Sequence, residues 1–168
     1  MSKTAIIYSY NTQKSKKVAE KVIAAFGETN IEAVNAEELS KEVFENYDNF
    51  IVSAPTWFDG ELPNYWDEFL PDLEEMDLSK KTFAIFGLGD QKGYPENYCD
   101  AIGLLAEILE ECGAKLVGQT SIEGYTFESS KAKRGDVFVG LALDQENQPR
   151  LTKDRVTNWV EQLKKEFL

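Results

Sequence analysis

Apolar and polar positions along this chain follow two periods. Unbroken apolar runs at 4–8, 50–53 and 82–86 read as strands buried on both faces, since they are short and bounded by polar turns. Between them the spacing changes to that of helices. Residues 15–26 place Val18, Ala19, Val22, Ile23 and Phe26 on one face, with Ser15 as the expected N-cap and Gly27 as the stop. A short strand is expected at 31–34 and a short helix at 40–45. Residues 64–70 read as a helix that Pro71 should end.

The most regular pattern covers 97–112, where Ala101, Leu104, Leu105, Ile108, Leu109 and Cys112 form one stripe and Gly113 takes the C-cap place. A fifth strand starts at 115–118 and resumes at 137–143. A last helix from about residue 152 turns Val156, Trp159, Val160, Leu163 and Phe167 inward. Strands alternating with helices imply an α/β fold, a parallel sheet with helices on both faces. Residues 119–136 interrupt the last strand; they are rich in Gly, Ser, Thr and charge around Tyr125 and Phe127, and read as an insertion packed on the sheet edge. One domain, 1–168, is expected, with a core of ordinary size.

Charge narrows the range of partners. With 18 Lys+Arg against 30 Asp+Glu the net charge is −12, which disfavours nucleic acid and anionic membrane surfaces and favours basic protein surfaces. There is no histidine, so a histidine-based metal site or catalytic triad is excluded. Cys99 and Cys112 are too far apart for a Cys-x-x-Cys motif, and a reducing cytoplasm is the simplest setting. The chain enters its first strand without a signal-peptide core, and no apolar stretch approaches the roughly 20 residues that span a bilayer.

Three loops should meet beyond the carboxyl ends of the strands, where such sheets bind ligands. Ser9-Tyr-Asn-Thr-Gln-Lys-Ser15 precedes a helix and offers amides and hydroxyls, with Thr12 and Ser15 as donors suited to a phosphate; alone it also reads as a plain polar turn. Ala54-Pro-Thr-Trp-Phe-Asp-Gly-Glu-Leu62 carries Trp57, which could equally pack on its own domain. Phe86-Gly-Leu-Gly-Asp-Gln-Lys-Gly-Tyr94 carries glycines that permit close backbone approach, and Tyr94. Two loops with one large aromatic each could clamp a flat ring.

These segments resemble the two flavin loops of the long-chain flavodoxins, and the resemblance runs from end to end. Gly124-Tyr-Thr-Phe-Glu-Ser-Ser and Phe138-Val-Gly-Leu-Ala-Leu-Asp are similar to that family's inserted loop and the second half of its fifth strand. The resemblance implies a three-layer sandwich around a five-stranded parallel sheet of order 2-1-3-4-5, the order by which flavodoxins are known, with strand five split by the insertion. It implies FMN as cofactor. Trp57 and Tyr94 would then stack on the ring. Thr56, Phe58, Asp59, Gly60, Leu88, Gly89 and Asp90 would shape its pocket. Asn97, Tyr98 and Cys99 would lie along the pyrimidine or ribityl side, and Glu146 near the ribityl chain. A peptide of the 57–60 loop would turn on reduction, the candidates being Phe58, Asp59 and Gly60.

The phosphate loop departs from the family pattern Ser/Thr-x-Thr-Gly-x-Ser/Thr. Here it is Tyr10-Asn11-Thr12-Gln13-Lys14-Ser15, with a tyrosine for one hydroxyl donor and Gln13 for the glycine. Gln13 would be strained if that position needs a positive φ. Backbone amides from Asn11 to Ser15 could still cradle an anion, and Lys14 adds a cation.

The function implied is low-potential one-electron transport rather than enzymatic turnover, between a reductase that donates and an oxidoreductase that accepts. Asp59, Glu61, Asp67, Glu68, Asp90, Glu96 and Asp100 cluster near the expected ring edge and would dock basic redox partners, with the protein acting as a monomer; a merely solvated acidic face is the plain alternative. Three competing functions stay open on the residues. One is an FMN-dependent NAD(P)H reductase of the same fold, though no nicotinamide fingerprint is visible. Another is a flavin-free binding module, because of Tyr10 and Gln13. The third is a receiver-type signalling domain, disfavoured because no acid lies in Ser9–Ser15 or in Ser53–Trp57.

Overall fold

The computed structural model describes residues 2–57 and 60–168. Strand alternation sorts the core into two layers. Ala5, Ile7, Phe50, Val52, Phe83 and Ile85 face one side of a sheet, while Ile6, Tyr8, Ile51, Ala84 and Phe86 face the other. Each side must be covered, and helices cover both. The strands are β1 (Thr4–Tyr8), β2 (Glu32–Asn35), β3 (Asn49–Ser53), β4 (Thr82–Leu88), β5 (Lys115–Leu116), β6 (Thr120–Ser121), β7 (Lys133–Arg134), β8 (Val137–Phe138) and β9 (Leu141–Leu143). The helices are α1 (Gln13–Phe26), α2 (Lys41–Asn46), α3 (Asn64–Glu74), α4 (Asp100–Glu111) and α5 (Thr152–Glu166), with single 3-10 turns at Ala36–Glu38 and Pro149–Leu151.

The main sheet is parallel in the order β2-β1-β3-β4-β5, as expected. β5 joins β4 through Thr82 and Lys115, and β9 joins it further along through Phe86 and Leu141, so the fifth position is filled by two halves. α1 and α5 cover one face, Val18, Val22, Val156, Trp159 and Leu163 being fully buried against it. α2, α3 and α4 cover the other, where Phe44, Phe50 and Phe83 stack at ring separations of 4.6 to 6.2 Å. Trp66 and Trp159 are buried whole because each indole N–H finds a carbonyl, Ser53 at 3.3 Å and Gly118 at 2.8 Å.

Several boundaries differ from the pattern reading, each for a local reason. α1 starts at Gln13 with extended Thr12 at its cap, so Ser15 is not the cap but a buried residue of the first turn. Pro71 does not end α3, which runs on to Glu74. The missing N–H of Pro71 leaves the Asp67 carbonyl without its helical partner, but Phe69 and Leu73 bury on one face and hold both turns. α4 starts at Asp100, because Cys99 before it adopts a left-handed backbone with φ 52°.

The run 137–143 is not one strand. β8 pairs antiparallel with β6 and β7 in a small second sheet, and only β9 rejoins the main one. The insertion therefore has its own hydrogen-bonded structure, and it packs against α4. Gly103 makes that possible, since a Cβ there would fall within 2.8 Å of the Ala132 backbone nitrogen. On α4, Ile102 and Ala106 are buried while Leu104 and Ile108 are only partly so.

Replacing Pro71 with Ala should restore the bond to the Asp67 carbonyl. The expected net gain is about 1–2 kcal/mol, after allowing for a more disordered unfolded chain. It would be read as a higher urea midpoint at unchanged slope. A lower midpoint would mean that the proline ring itself is a packing element of α3.

Candidate functional site

All main strands run the same way, so the loops after β1, β3, β4 and β9 gather at one edge. The strand order turns back at β1, which lies between β2 and β3, and a crevice opens at that point. It has a volume of about 460 Å³, within the range for small-molecule sites. Thr12, Lys14 and Ser15 line it from the first loop, and Pro55, Thr56 and Trp57 from the second. Leu88, Gly89, Asp90, Tyr94 and Asn97 line it from the third, and Gln145 and Glu146 from the fourth.

The start of α1 is built to receive an anion. Tyr10 N–H donates to the Asn35 side chain at 3.3 Å, Asn11 N–H to the Ser9 hydroxyl at 3.3 Å, and Thr12 N–H to the Ser9 carbonyl at 3.4 Å. The next three N–H groups, of Gln13, Lys14 and Ser15, head the helix and have no carbonyl of their own helix to reach. The Ser15 hydroxyl lines the same crevice, is buried, and has no hydrogen-bond partner. A buried hydroxyl without a partner is costly. Lys14 forms an ion pair across the crevice with Glu146. Gln13 begins the helix in ordinary helical conformation; among the described residues other than glycine only Cys99 has positive φ. The condition for strain at Gln13, a positive φ, is therefore not met.

The second loop is closed by paired bonds, Trp57 N–H to the Glu61 carbonyl at 2.8 Å and the reverse at 2.7 Å. Trp57 meets the Tyr65 ring edge-on at 5.9 Å and stays partly exposed. The Thr56 hydroxyl accepts the Ala101 N–H at 3.1 Å and so ties this loop to the start of α4. Gly60, with φ 93°, sits where a Cβ would approach Asp100 Oδ2 to 2.7 Å, and it does not line the crevice. Phe58 and Asp59 lie outside the described residues.

The third and fourth loops share a buried carboxylate. Asp144, fully buried at the end of β9, accepts from Gln91 N–H at 3.0 Å and from Gln91 Nε2 at 2.9 Å. It also accepts from Glu146 N–H at 3.1 Å, Asn147 N–H at 2.9 Å and Asn147 Nδ2 at 2.8 Å. Asn147 Nδ2 continues to Asp90 Oδ1 at 2.8 Å. Tyr94, 52% exposed, stands at the end of this loop as the other large aromatic of the crevice.

Not every residue expected at the site turns toward it. Tyr10 leans on Tyr8 at 5.1 Å, and Asn11 donates to Glu37. The side chains of Tyr98 and Cys99 are fully buried behind the loop, Tyr98 against Phe127 and Phe138 and the Cys99 thiol toward the Gly87 carbonyl. The left-handed Cys99 turns both inward. Burial pushes the Cys99 thiol far up, so it stays protonated. Of the acids expected at the rim, Glu61, Asp67, Glu68 and Glu96 are exposed, but Asp100 is buried and accepts the Lys131 N–H at 2.8 Å. Two lining residues escaped the sequence reading. Pro55 stands inside the quoted second loop, and Gln145 stands next to Glu146. Asp144 was signalled only by an acid directly after a strand with N–H groups two and three residues on.

A larger hollow of about 580 Å³ lies among Gln91, Lys92, Phe127 and Asn147. Size alone would favour it, yet none of the unpartnered buried polar atoms among the described residues belongs to its lining. Chemistry singles out the first crevice.

Asp90 Oδ1 accepts from Gly93 N–H at 2.8 Å and Lys92 N–H at 3.1 Å besides Asn147. The Gly93 bond first, then the Asn147 bond, holds its carboxyl below the usual range. A depressed folded value stabilises the fold above the ordinary carboxylate pKa of about 4, and that stability fades as pH falls through the lowered value. Urea unfolding of the protein and of Asp90→Ala should therefore differ most near neutrality and converge in acid. A gap independent of pH would rule out this role for the charge.

A family model described as Flavodoxin matches residues 6–159. A flavodoxin of Picosynechococcus sp. is 42% identical over 168 residues, 99% of each chain. Flavodoxin 1 of Escherichia coli K12 is 40% identical, over 99% of this chain and 96% of its own. The crystal structure of Fusobacterium nucleatum flavodoxin bound to flavin mononucleotide superposes with a TM-score of 0.94 at 34% identity, covering 100% of both chains. Sheet order, crevice and sequence agree, and this chain belongs to the flavodoxin family.

Proposed function

We propose that the crevice binds FMN non-covalently and that the protein is an electron carrier, not an enzyme. One observation carries this reading. The buried Ser15 hydroxyl lacks a partner at the head of α1, in the same crevice that Trp57 and Tyr94 line. A phosphate suits that end, and an aromatic ring suits the other. The three open amides, the Ser15 hydroxyl and Lys14 would hold the phosphate, with Thr12 at the rim. Trp57 and Tyr94 would cover the ring, while Thr56, Leu88, Gly89, Asp90 and Asn97 shape its surroundings. Tyr10 and Gln13 do not occupy the anion seat, so the altered loop leaves it open.

When bound, FMN supplies one-electron chemistry, and the residues set its conditions. A net charge of −12 and the Asp90 carboxylate, on the loop that carries Tyr94, disfavour further negative charge at the ring end, which supports a low potential. Trp57 and Tyr94 would limit the access of water to the ring. The family relatives, the split fifth strand and its insertion support the long-chain type. The exposed acids Glu61, Asp67, Glu68 and Glu96, in the segments that follow Trp57 and Tyr94 in the chain, favour basic redox partners, a reductase as donor and an oxidoreductase as acceptor. We read the chain as one domain, acting as a monomer in the cytoplasm. No helix among the described residues is long and apolar enough to cross a membrane.

FMN added to the flavin-free protein should quench its own fluorescence and give a yellow complex at one equivalent. Trp57→Ala should weaken that complex about tenfold or more, from lost stacking and lost buried area. A protein that binds no FMN would sink the reading.

Reduction by a basic reductase should be fastest at low salt and slow as salt rises. Glu96→Lys should flatten that dependence. Rates indifferent to ionic strength would remove the acidic face from the account.

A further inference from the structure

The anion seat is held from behind by a segment that does not touch the crevice. Ser9 and Asn11 flank Tyr10, and both side chains turn to one carboxylate. The Ser9 hydroxyl donates to Glu37 Oε1 at 2.9 Å, and Asn11 Nδ2 donates to Glu37 Oε2 at 2.7 Å. Ser9 is fully buried, so its hydroxyl has no water to turn to. Asn35 Oδ1 accepts both from Tyr10 N–H at 3.3 Å and from Glu37 N–H at 3.2 Å. The same asparagine thus fixes the loop and the residue that clamps it. None of Ser9, Asn11, Asn35 and Glu37 lines the crevice.

The loop needs such a hold. It carries Tyr10 and Gln13 where its family pattern has a hydroxyl residue and a glycine. Of its amides, those of Tyr10 and Asn11 are spent on side chains, and the open ones lie just beyond, at Gln13 to Ser15. Their aim depends on where Ser9 to Thr12 run, and exposed Glu37 holds that course together with Asn35 and the bonds of the Ser9 turn. A loop already in its binding geometry gives up less freedom when its ligand arrives.

We propose that Glu37 is a positioning residue for the phosphate end, and that through it the chain prefers a phosphorylated flavin over an unphosphorylated one. The proposal rests on the crevice being an FMN site. It also has a sign that plain electrostatics does not share. Glu37 carries negative charge behind an anion seat, so by Coulomb repulsion alone its removal would tighten FMN. As a clamp, its removal loosens FMN and spares riboflavin, which has no phosphate.

The test titrates FMN and riboflavin into the flavin-free full chain and into Glu37→Ala and Glu37→Gln, following flavin fluorescence. Glu37→Ala should weaken FMN about threefold to tenfold and leave riboflavin within about twofold. Asn11→Ala, which removes one of the two clamp bonds, should show part of the same loss, and it serves alone should Glu37→Ala fail to fold. FMN unchanged or bound more tightly would overturn the clamp. Equal weakening of both flavins would also overturn it, showing a general structural role. An unaltered protein that binds neither flavin would overturn the functional reading, and this proposal with it.

Discussion

A parallel sheet has to be covered on both faces. Its strands cannot be joined by tight turns, so each connection crosses the sheet and carries a helix or long segment with it. The site follows from that constraint. The main strands run the same way and the strand order turns back at β1, so four loops meet at that edge. α1 heads away from that point and leaves its first amides open toward the gap. The core therefore does more than stabilise: Ile6, Ile51 and Ala84 on one face and Ile7, Val52 and Ile85 on the other set the height at which each loop begins.

Loops set on such a base still need fastening, and here buried polar groups supply it. Asp144 gathers the third and fourth loops through Gln91 and Asn147. Thr56 fastens the second loop to α4, and Asp100 fastens α4 to the insertion. A buried carboxylate is tolerable only when its oxygens are fully used, and both of these are hydrogen-bonded. The sheet decides where the crevice lies, and these carboxylates decide its shape.

Much of this could be read from the residues in order. The strands were visible because unbroken apolar runs have few other meanings. Trp57 and Tyr94 were visible because large aromatics in exposed loops need a reason. Thr12 and Ser15 were visible as hydroxyls at a helix start. What stayed hidden depends on contacts distant in sequence or on backbone angles that composition does not specify. Nothing in Asn97-Tyr-Cys-Asp100 says that Cys99 is left-handed, yet that angle moves Tyr98 and Cys99 into the core. Asp100 reads as a surface acid until Lys131 is brought to it. Pro71 reads as a stop because the rule is local, whereas burial of Phe69 and Leu73 is not. The split of 137–143 is likewise decided by β6, which offers β8 another partner.

The split strand also has a consequence for how copies of this protein behave in a crowded solution. An open sheet ends in two rows of unpaired backbone groups, and such rows are templates for strand addition by another chain. On one side the terminal strand, β2, is four residues long and bears the charged Glu32. On the other side the chain leaves the sheet after the two residues of β5 and comes back for only the three of β9. The departing segment folds on itself as β6, β8 and β7 beside the same edge. Neither border offers the long, flat, apolar ribbon from which fibrils and stacked aggregates grow.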